Sequence, residues 1–488
     1  MARSKVRKSV HEIHRLRALA KVAVLAAAAA TACGGGFGPV NAPGSTRSAR
    51  AEEWFTRAKA SYHAGDFADA RASAKHALDA APKDDEIRTM LGRIDLATLD
   101  FSEAVKVTEG MDSTDAHAIR GRARWYAGDV DQAADELEAM LADPKVKDTW
   151  ATSVAKLARE GAGRHPFALE GGIVAKVDMP RDIGDVPLGA ALVVPCDLEG
   201  EHVLALVATG SSEVYVDSAS RREPAWVSFR FADTIEVNDV PALTQDLSPL
   251  SHQLGVPIKA MLGVNFLRHT HATFDRRGDQ FIVRRFEPQP PPDGSRVPLW
   301  YLHGAAMTLR VGLTPKLGVE SPMYVDTEKF IPDEEFLRVA LDETLWKTSG
   351  ADMRKLQPLA HSPNVRRGTL PSFRLGGFDL ATMPALQGLD FSELQATNVD
   401  VEVGGVVGAG LLSLFRVTFA DEGRFIWIEP DPMLVGGAPS SGARPPPPTQ
   451  TGPTTMPSQL TDPMSPNPMG STYAPSPTMP TMPPGRAP

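Results

Sequence analysis

The chain has 488 residues, with 51 basic against 60 acidic side chains and a formal net charge of −9. At about 100–200 residues per domain this length holds two or three domains, and a hydrophobic content of 42% supplies their cores. The acidic balance argues against nucleic acid or another polyanion as partner, and two cysteines provide no framework of disulfides.

Residues 1–21 carry seven Lys and Arg against Glu12, and Val22 to Ala32 is an apolar run of eleven residues. A membrane-spanning helix needs about 20, so residues 1–32 read as a secretory signal peptide. Ala30-Thr31-Ala32 followed by Cys33 resembles a bacterial lipobox, although Leu is preferred where Ala30 stands. The resemblance implies lipidation of Cys33, export, and a lipid-anchored place in the cell envelope, on a periplasmic or outer-membrane face. The alternative is an ordinary signal peptide cleaved near a cysteine. Without residues 1–32 the chain has 44 basic and 59 acidic residues, a formal charge of −15. Cys196 ends the apolar run 190–195 and is expected to be buried and inert. Residues 33–50, rich in Gly, Pro and Ser, form a flexible tether.

Residues 51–162 have helical periodicity. Ala64-Gly65-Asp66-Phe67 recurs 34 residues later as Thr98-Leu99-Asp100-Phe101, and again after 29 as Ala127-Gly128-Asp129-Val130. Each copy follows a helix bearing large apolar residues and precedes an Ala-rich one, and Thr149 to Glu160 closes the array. This period resembles the tetratricopeptide repeat, in which helix pairs stack because one pair cannot bury its apolar stripe alone. The resemblance implies either a groove for a polypeptide partner or a spacer.

From residue 165 the pattern changes to short runs rich in Val, Phe and Thr, broken by Gly and Pro, which predicts an all-β region. It is duplicated. Val186-Pro187-Leu188 matches Val297-Pro298-Leu299; Ala208-Thr209-Gly210 matches Asp326-Thr327-Glu328; Pro241-Ala242-Leu243 matches Pro384-Ala385-Leu386. The segment from Leu262-Gly263 to Thr273-Phe274 matches Val407-Gly408 to Thr418-Phe419. The copies span 165–286 and 297–432, joined by a Pro-rich linker at 287–296. Residues 433–488, made of Pro, Thr, Ser, Met and Gly with almost no charge, are expected to be disordered.

The landmarks resemble the retropepsin-type aspartic peptidase domain, present twice as a pepsin-like bilobal pair. In that family two Asp-Thr-Gly turns bring two carboxylates together, and they share one proton because close like charges cannot both ionise. The resemblance makes Asp326 one catalytic candidate, with Thr327 beside it, and the first half-site, Ala208-Thr209-Gly210, degenerate. Gly263 and Gly408 are its second-segment glycines. Thr209 and Thr327 are both retained, so a threonine grip between lobes is expected. The turn glycine allows a tight backbone with φ > 0 available; Gly210 keeps it and Glu328 departs from it. Glu328 and Asp217 are the nearest substitute acids, and neither sits at the family position. Pairing of two second lobes in a homodimer is another route to two carboxylates.

His269 and His271 alternate in a short segment with no third ligand spaced nearby, so no metal site or cofactor is expected. The sequence has no Gly-x-Ser-x-Gly elbow, phosphate-binding glycine loop or His-Glu-x-x-His. The expected fold is a helical repeat domain, an all-β bilobal body and a disordered tail. The expected function is an envelope lipoprotein that binds polypeptide without efficient cleavage. The alternatives are an active aspartic endopeptidase using Asp326 with a partner carboxylate, and a structural scaffold.

Overall fold

The computed structural model describes residues 47–316, 319–331, 335–390 and 401–430. Residues 1–32 (expected to be a signal peptide), Cys33 and the Pro-rich tail lie outside them. Seven helices come first: α1 (Ala49–His63), α2 (Phe67–Ala80), α3 (Asp85–Ala97), α4 (Phe101–Val107), α5 (Thr114–Ala127), α6 (Val130–Leu141) and α7 (Thr149–Glu160). The recurring tetrapeptide is the tight turn inside each pair. Its second residue takes a left-handed backbone in all three copies, at Gly65 (φ 68°), Leu99 (φ 59°) and Gly128 (φ 84°). Leu99 holds a conformation that favours glycine. The Asp that follows is the N-cap of the next helix each time. Asp148 caps α7 and pairs with the buried Arg122 of α5 at 2.9 Å.

The rest is β. The first copy contributes β1 (Ala168–Gly171), β2 (Val174–Asp178), β3 (Val193–Leu198), β4 (Glu201–Val207), β5 (Val214–Asp217), β6 (Ala225–Phe231), β7 (Ile235–Gln245), β8 (Ile258–Leu262), α8 (Val264–His269), β9 (Thr273–Asp275) and β10 (Gln280–Arg284). The second contributes β11 (Ser295–Pro298), β12 (Trp300–Leu302), β13 (Ala306–Gly312), β14 (Ser321–Asp326), β15 (Val339–Leu341), β16 (Gln357–Pro358), β17 (Arg366–Leu375), β18 (Phe378–Gln387), β19 (Gly405–Gly408), β20 (Phe415–Ala420) and β21 (Phe425–Pro430).

Each copy folds its own sheet, ordered β1-β7-β5-β8-β4-β3-β6 in the first and β12-β13-β14-β19-β15-β18-β17-β16 in the second. A third sheet, β11-β21-β20-β9-β10-β2, takes three strands from each copy and joins the lobes. The duplication is visible in register. In each lobe the strand leading into the turn motif lies parallel to the one running up to Gly263 or Gly408, pairing Val207 with Leu262 and Val325 with Val407. The fold class expected from the sequence, helical repeats followed by an all-β bilobal body, is what the structure shows.

Side-chain alternation along β4 and β14 decides what faces what. Val203, Ala205 and Val207 point into the main core, as do Met323 and Val325. On the opposite face, Leu206 and Ala208 join a buried cluster with Trp125, Tyr126 and Trp150 of the helices. Tyr324 does the same with Phe55, Tyr62 and Phe67. The helical module therefore packs on the faces that carry the two turn motifs.

It does so through its turn edge. A Cβ at Gly65 would stand 3.0 Å from the Pro322 ring. Arg424 donates to the Leu99 carbonyl at 3.5 Å, and Arg268 to the Tyr126 carbonyl at 2.6 Å. The Trp226 indole N–H donates to the Leu157 carbonyl at 2.9 Å, and the ring lies where any side chain at Gly161 would sit. Truncating Trp226 to Ala removes this bond and the contact with the Trp125 ring 6.2 Å away. A loss of about 3 kcal/mol in urea unfolding is expected. A change below about 0.5 kcal/mol, the range of neutral surface substitutions, would show that this contact does not hold the helices in place.

Candidate functional site

The two turn motifs meet where β4 and β14 end. Thr209 and Thr327 are fully buried and bound to each other reciprocally. The Thr209 N–H donates to Thr327 Oγ1 at 3.0 Å, and the Thr327 N–H to Thr209 Oγ1 at 3.1 Å. Thr327 Oγ1 also donates to the Val207 carbonyl at 2.8 Å. Four backbone and hydroxyl groups that burial would otherwise leave unpaired are thus satisfied across the lobe boundary.

Gly263 and Gly408 support these turns by close approach. A Cβ at Gly263 would lie 2.1 Å from the Glu213 carbonyl oxygen, and one at Gly408 would lie 2.3 Å from that of Leu337. Neither has a left-handed backbone. Gly210 does not use positive φ either; the expectation that the turn glycine serves a left-handed backbone is replaced by a requirement for space. A Cβ there would stand 2.7 Å from a Glu328 carboxyl oxygen and 3.0 Å from the Asp326 carboxyl carbon.

Ala208 is fully buried. Asp217 is occupied elsewhere, paired with Lys259 at 2.7 Å. Glu328 takes a different course. Its Oε2 accepts from the Gly210 N–H at 3.0 Å and its Oε1 from the Ser211 hydroxyl at 3.1 Å. The carboxyl group of the second lobe's turn thus reaches across to donors on the first lobe's turn. It also lies beside the Asp326 carboxyl. Both carboxyl carbons lie 3.0 Å from one point, the Cβ position of Gly210, and so within about 6 Å of each other. One Asp326 oxygen, Oδ1, has no hydrogen-bond partner. Asp326 and Glu328 keep partial exposure and Gly210 is exposed, so the pair is open on one side.

Burial, and then the neighbouring Asp326, push the Glu328 carboxyl up to about 8. Burial raises Asp326 as well, opposed by the charge of Lys329. Two adjacent carboxyls in this environment hold one proton between them over a wide pH range. Ser211 and Glu328 as a donor–acceptor pair were not drawn from the sequence. The residues concerned, Ala208 without a carboxyl and Glu328 with one, are brought to the same inter-lobe turn in space.

The remaining expected residues fall outside this site. Cys196 is buried, and burial pushes its thiol up to about 12. His269 stacks on Phe167 with ring centroids 4.7 Å apart, and burial holds it neutral. His271 faces Glu287 at 3.1 Å. Among the described residues no group of three His, Cys, Asp or Glu is placed to hold a metal, and no helix is long and apolar enough to cross a membrane.

A family model of the tetratricopeptide repeat matches residues 61–123. No curated protein matches the chain. Among solved structures, the chain is similar to the first TPR of Spaghetti (RPAP3) bound to HSP90 peptide SRMEEVD, at 17% identity over 24% of this chain and 94% of that one, with a TM-score of 0.22. It is similar to Basic 7S globulin from soybean at 12% identity, over 54% of this chain and 95% of that one, with a TM-score of 0.33. It is also similar to a retropepsin-like aspartic protease from Rickettsia conorii at 15% identity, over 29% and 95%, with a TM-score of 0.21.

The acid pair has a consequence for stability. Glu328 titrates near 8 in the folded chain and near its ordinary 4.5 when unfolded. The native state therefore keeps a proton that the unfolded state releases. This contribution is full below pH 4.5 and is lost as pH rises to about 8. Thermal unfolding is expected at lower temperature at pH 8 than at pH 5, and Glu328→Gln, which cannot ionise, should narrow that difference. An unchanged pH dependence in the variant would contradict the assignment.

Proposed function

We propose that the chain is an exported lipoprotein, anchored through Cys33, that holds polypeptide and does not cleave it at the rate of a two-aspartate site. The helical repeats act as a protein-interaction module, and the bilobal body engages an extended segment by strand-like backbone hydrogen bonding. The observation that carries this reading is Ala208: a fully buried methyl stands where the resemblance requires the first acid, on a face already covered by the helices. The threonine grip keeps the lobes in position without that acid. Because the second lobe's turn already engages the first within one chain, a single-chain site is supported over pairing of two chains.

One observation favours a second reading, slow acid–base hydrolysis. Asp326 and Glu328 form a two-carboxyl pair by another route. In such a pair the ionised carboxylate takes a proton from water as the oxygen attacks the amide carbon. The protonated partner donates to the carbonyl oxygen and then, as the C–N bond breaks, a proton passes to the leaving nitrogen.

Incubating the chain from residue 33 with a peptide library carrying photo-crosslinkers, across pH 3–9, separates these readings. The binding reading predicts crosslinked, uncut peptide in the wild type and in Asp326→Asn. Cleavage abolished by both Asp326→Asn and Glu328→Gln would establish the second reading. Neither crosslinking nor cleavage by folded protein would contradict both.

A further inference from the structure

A cavity of about 210 Å³ lies where the helices meet the first lobe, between the end of α5 and the start of α8. Its mouth is at the exposed Ala127 and His165, and its wall includes Glu213, Asn265 and Arg268. These three polar side chains are 2%, 4% and 3% exposed. So many buried polar groups around a space of this size are costly unless something pairs with them.

The internal partners do not complete the set. Arg268 donates to the Asn265 side-chain oxygen at 2.8 Å and to the Tyr126 carbonyl at 2.6 Å, both neutral acceptors. Among the described residues no carboxylate lies within ion-pair distance of its guanidinium. The amide nitrogen of Asn265 is buried with no partner. Glu213 is turned to the helices instead: its Oε1 accepts from the Trp150 indole N–H at 3.2 Å and from Ser212 at 3.4 Å. The cavity thus joins a buried cation that has the Phe101 ring 5.5 Å away but no ion-pair partner, and a free buried N–H donor, at one wall to a carboxyl group at another. Space for about seven water molecules, at about 30 Å³ each, also accommodates a small organic ligand.

We infer that this cavity is a binding site for a small carboxylate, held by Arg268 and the free amide nitrogen of Asn265. A carboxylate there supplies the ion-pair partner that Arg268 lacks and accepts the unpaired Asn265 N–H bond, two charge-assisted contacts. A ligand that also carries an ammonium group would place it toward Glu213, so a free α-amino acid and a simple organic acid are the two sources of the same chemistry. Binding there would tie the helical module to the first lobe, because Arg268 and Tyr126 belong one to each.

Thermal unfolding of the chain from residue 33 in sodium propionate or L-alanine, against sodium chloride at equal ionic strength, tests this. A saturable upward shift with propionate or alanine and none with chloride is expected, larger with alanine if Glu213 receives the ammonium. Asn265→Asp keeps the acceptor for Arg268 and places a carboxylate beside it. It should raise the unfolding temperature without ligand and lower the affinity for either carboxylate at least tenfold. An equal shift in wild type and Asn265→Asp, or no saturable shift in wild type, which would leave a cavity holding water only, overturns the inference.

Discussion

Everything at the centre of this molecule depends on the reciprocal hydrogen bonds between Thr209 and Thr327. They fix the ends of β4 and β14 against each other, and from that contact the positions of Gly210, Asp326 and Glu328 follow. A buried hydroxyl that both accepts from a backbone N–H and donates to a carbonyl leaves no polar group unpaired. The arrangement can therefore persist without a catalytic acid beside it. The six-stranded sheet shared by the two copies reinforces the same geometry from below.

Ala208 and Glu328 belong to the same inter-lobe contact. With Ala at 208, the Gly210 N–H and the Ser211 hydroxyl would face a gap. Glu328 is one carbon longer than Asp and stands two residues beyond Asp326. That reach lets its carboxyl cross the boundary and accept both donors. Gly210 must remain glycine because a side chain there would occupy the space the two carboxyls use. The result is an acid pair built from one strand end rather than two. It is covered from one side by helices whose turn edge spans both lobes.

Much of this was legible in the sequence. The repeated tetrapeptide is the turn of every helix pair. The four duplicated landmarks predict two lobes of one plan, and Gly263 and Gly408 stand where backbone oxygens leave no room for a side chain. What the sequence could not convey was three-dimensional reach. Nothing in the spacing of Ala208 and Glu328 says that a side chain 120 residues on fills the place of a missing one. Likewise, nothing in the sequence says that the apolar residues Leu206 and Tyr324 pack in clusters with Trp125 and Phe55 of the helices. Helical periodicity marks which residues are buried within a repeat, not which edge docks on another module. The cluster of Glu213, Asn265 and Arg268 carried no sequence signal, because its members come from different elements and match no motif.

Glu328 as the second carboxyl at the inter-lobe turn, sharing a proton with Asp326, is what the site's chemistry rests on. Carboxyl ¹³C NMR titration of the folded chain, with the two signals assigned through Glu328→Gln and Asp326→Asn, tests it most directly. A shared proton predicts a Glu328 transition near pH 8 that moves down when Asp326 is replaced, and an Asp326 transition above its ordinary range. Two independent transitions at ordinary carboxylate values, each indifferent to loss of the other group, would contradict it.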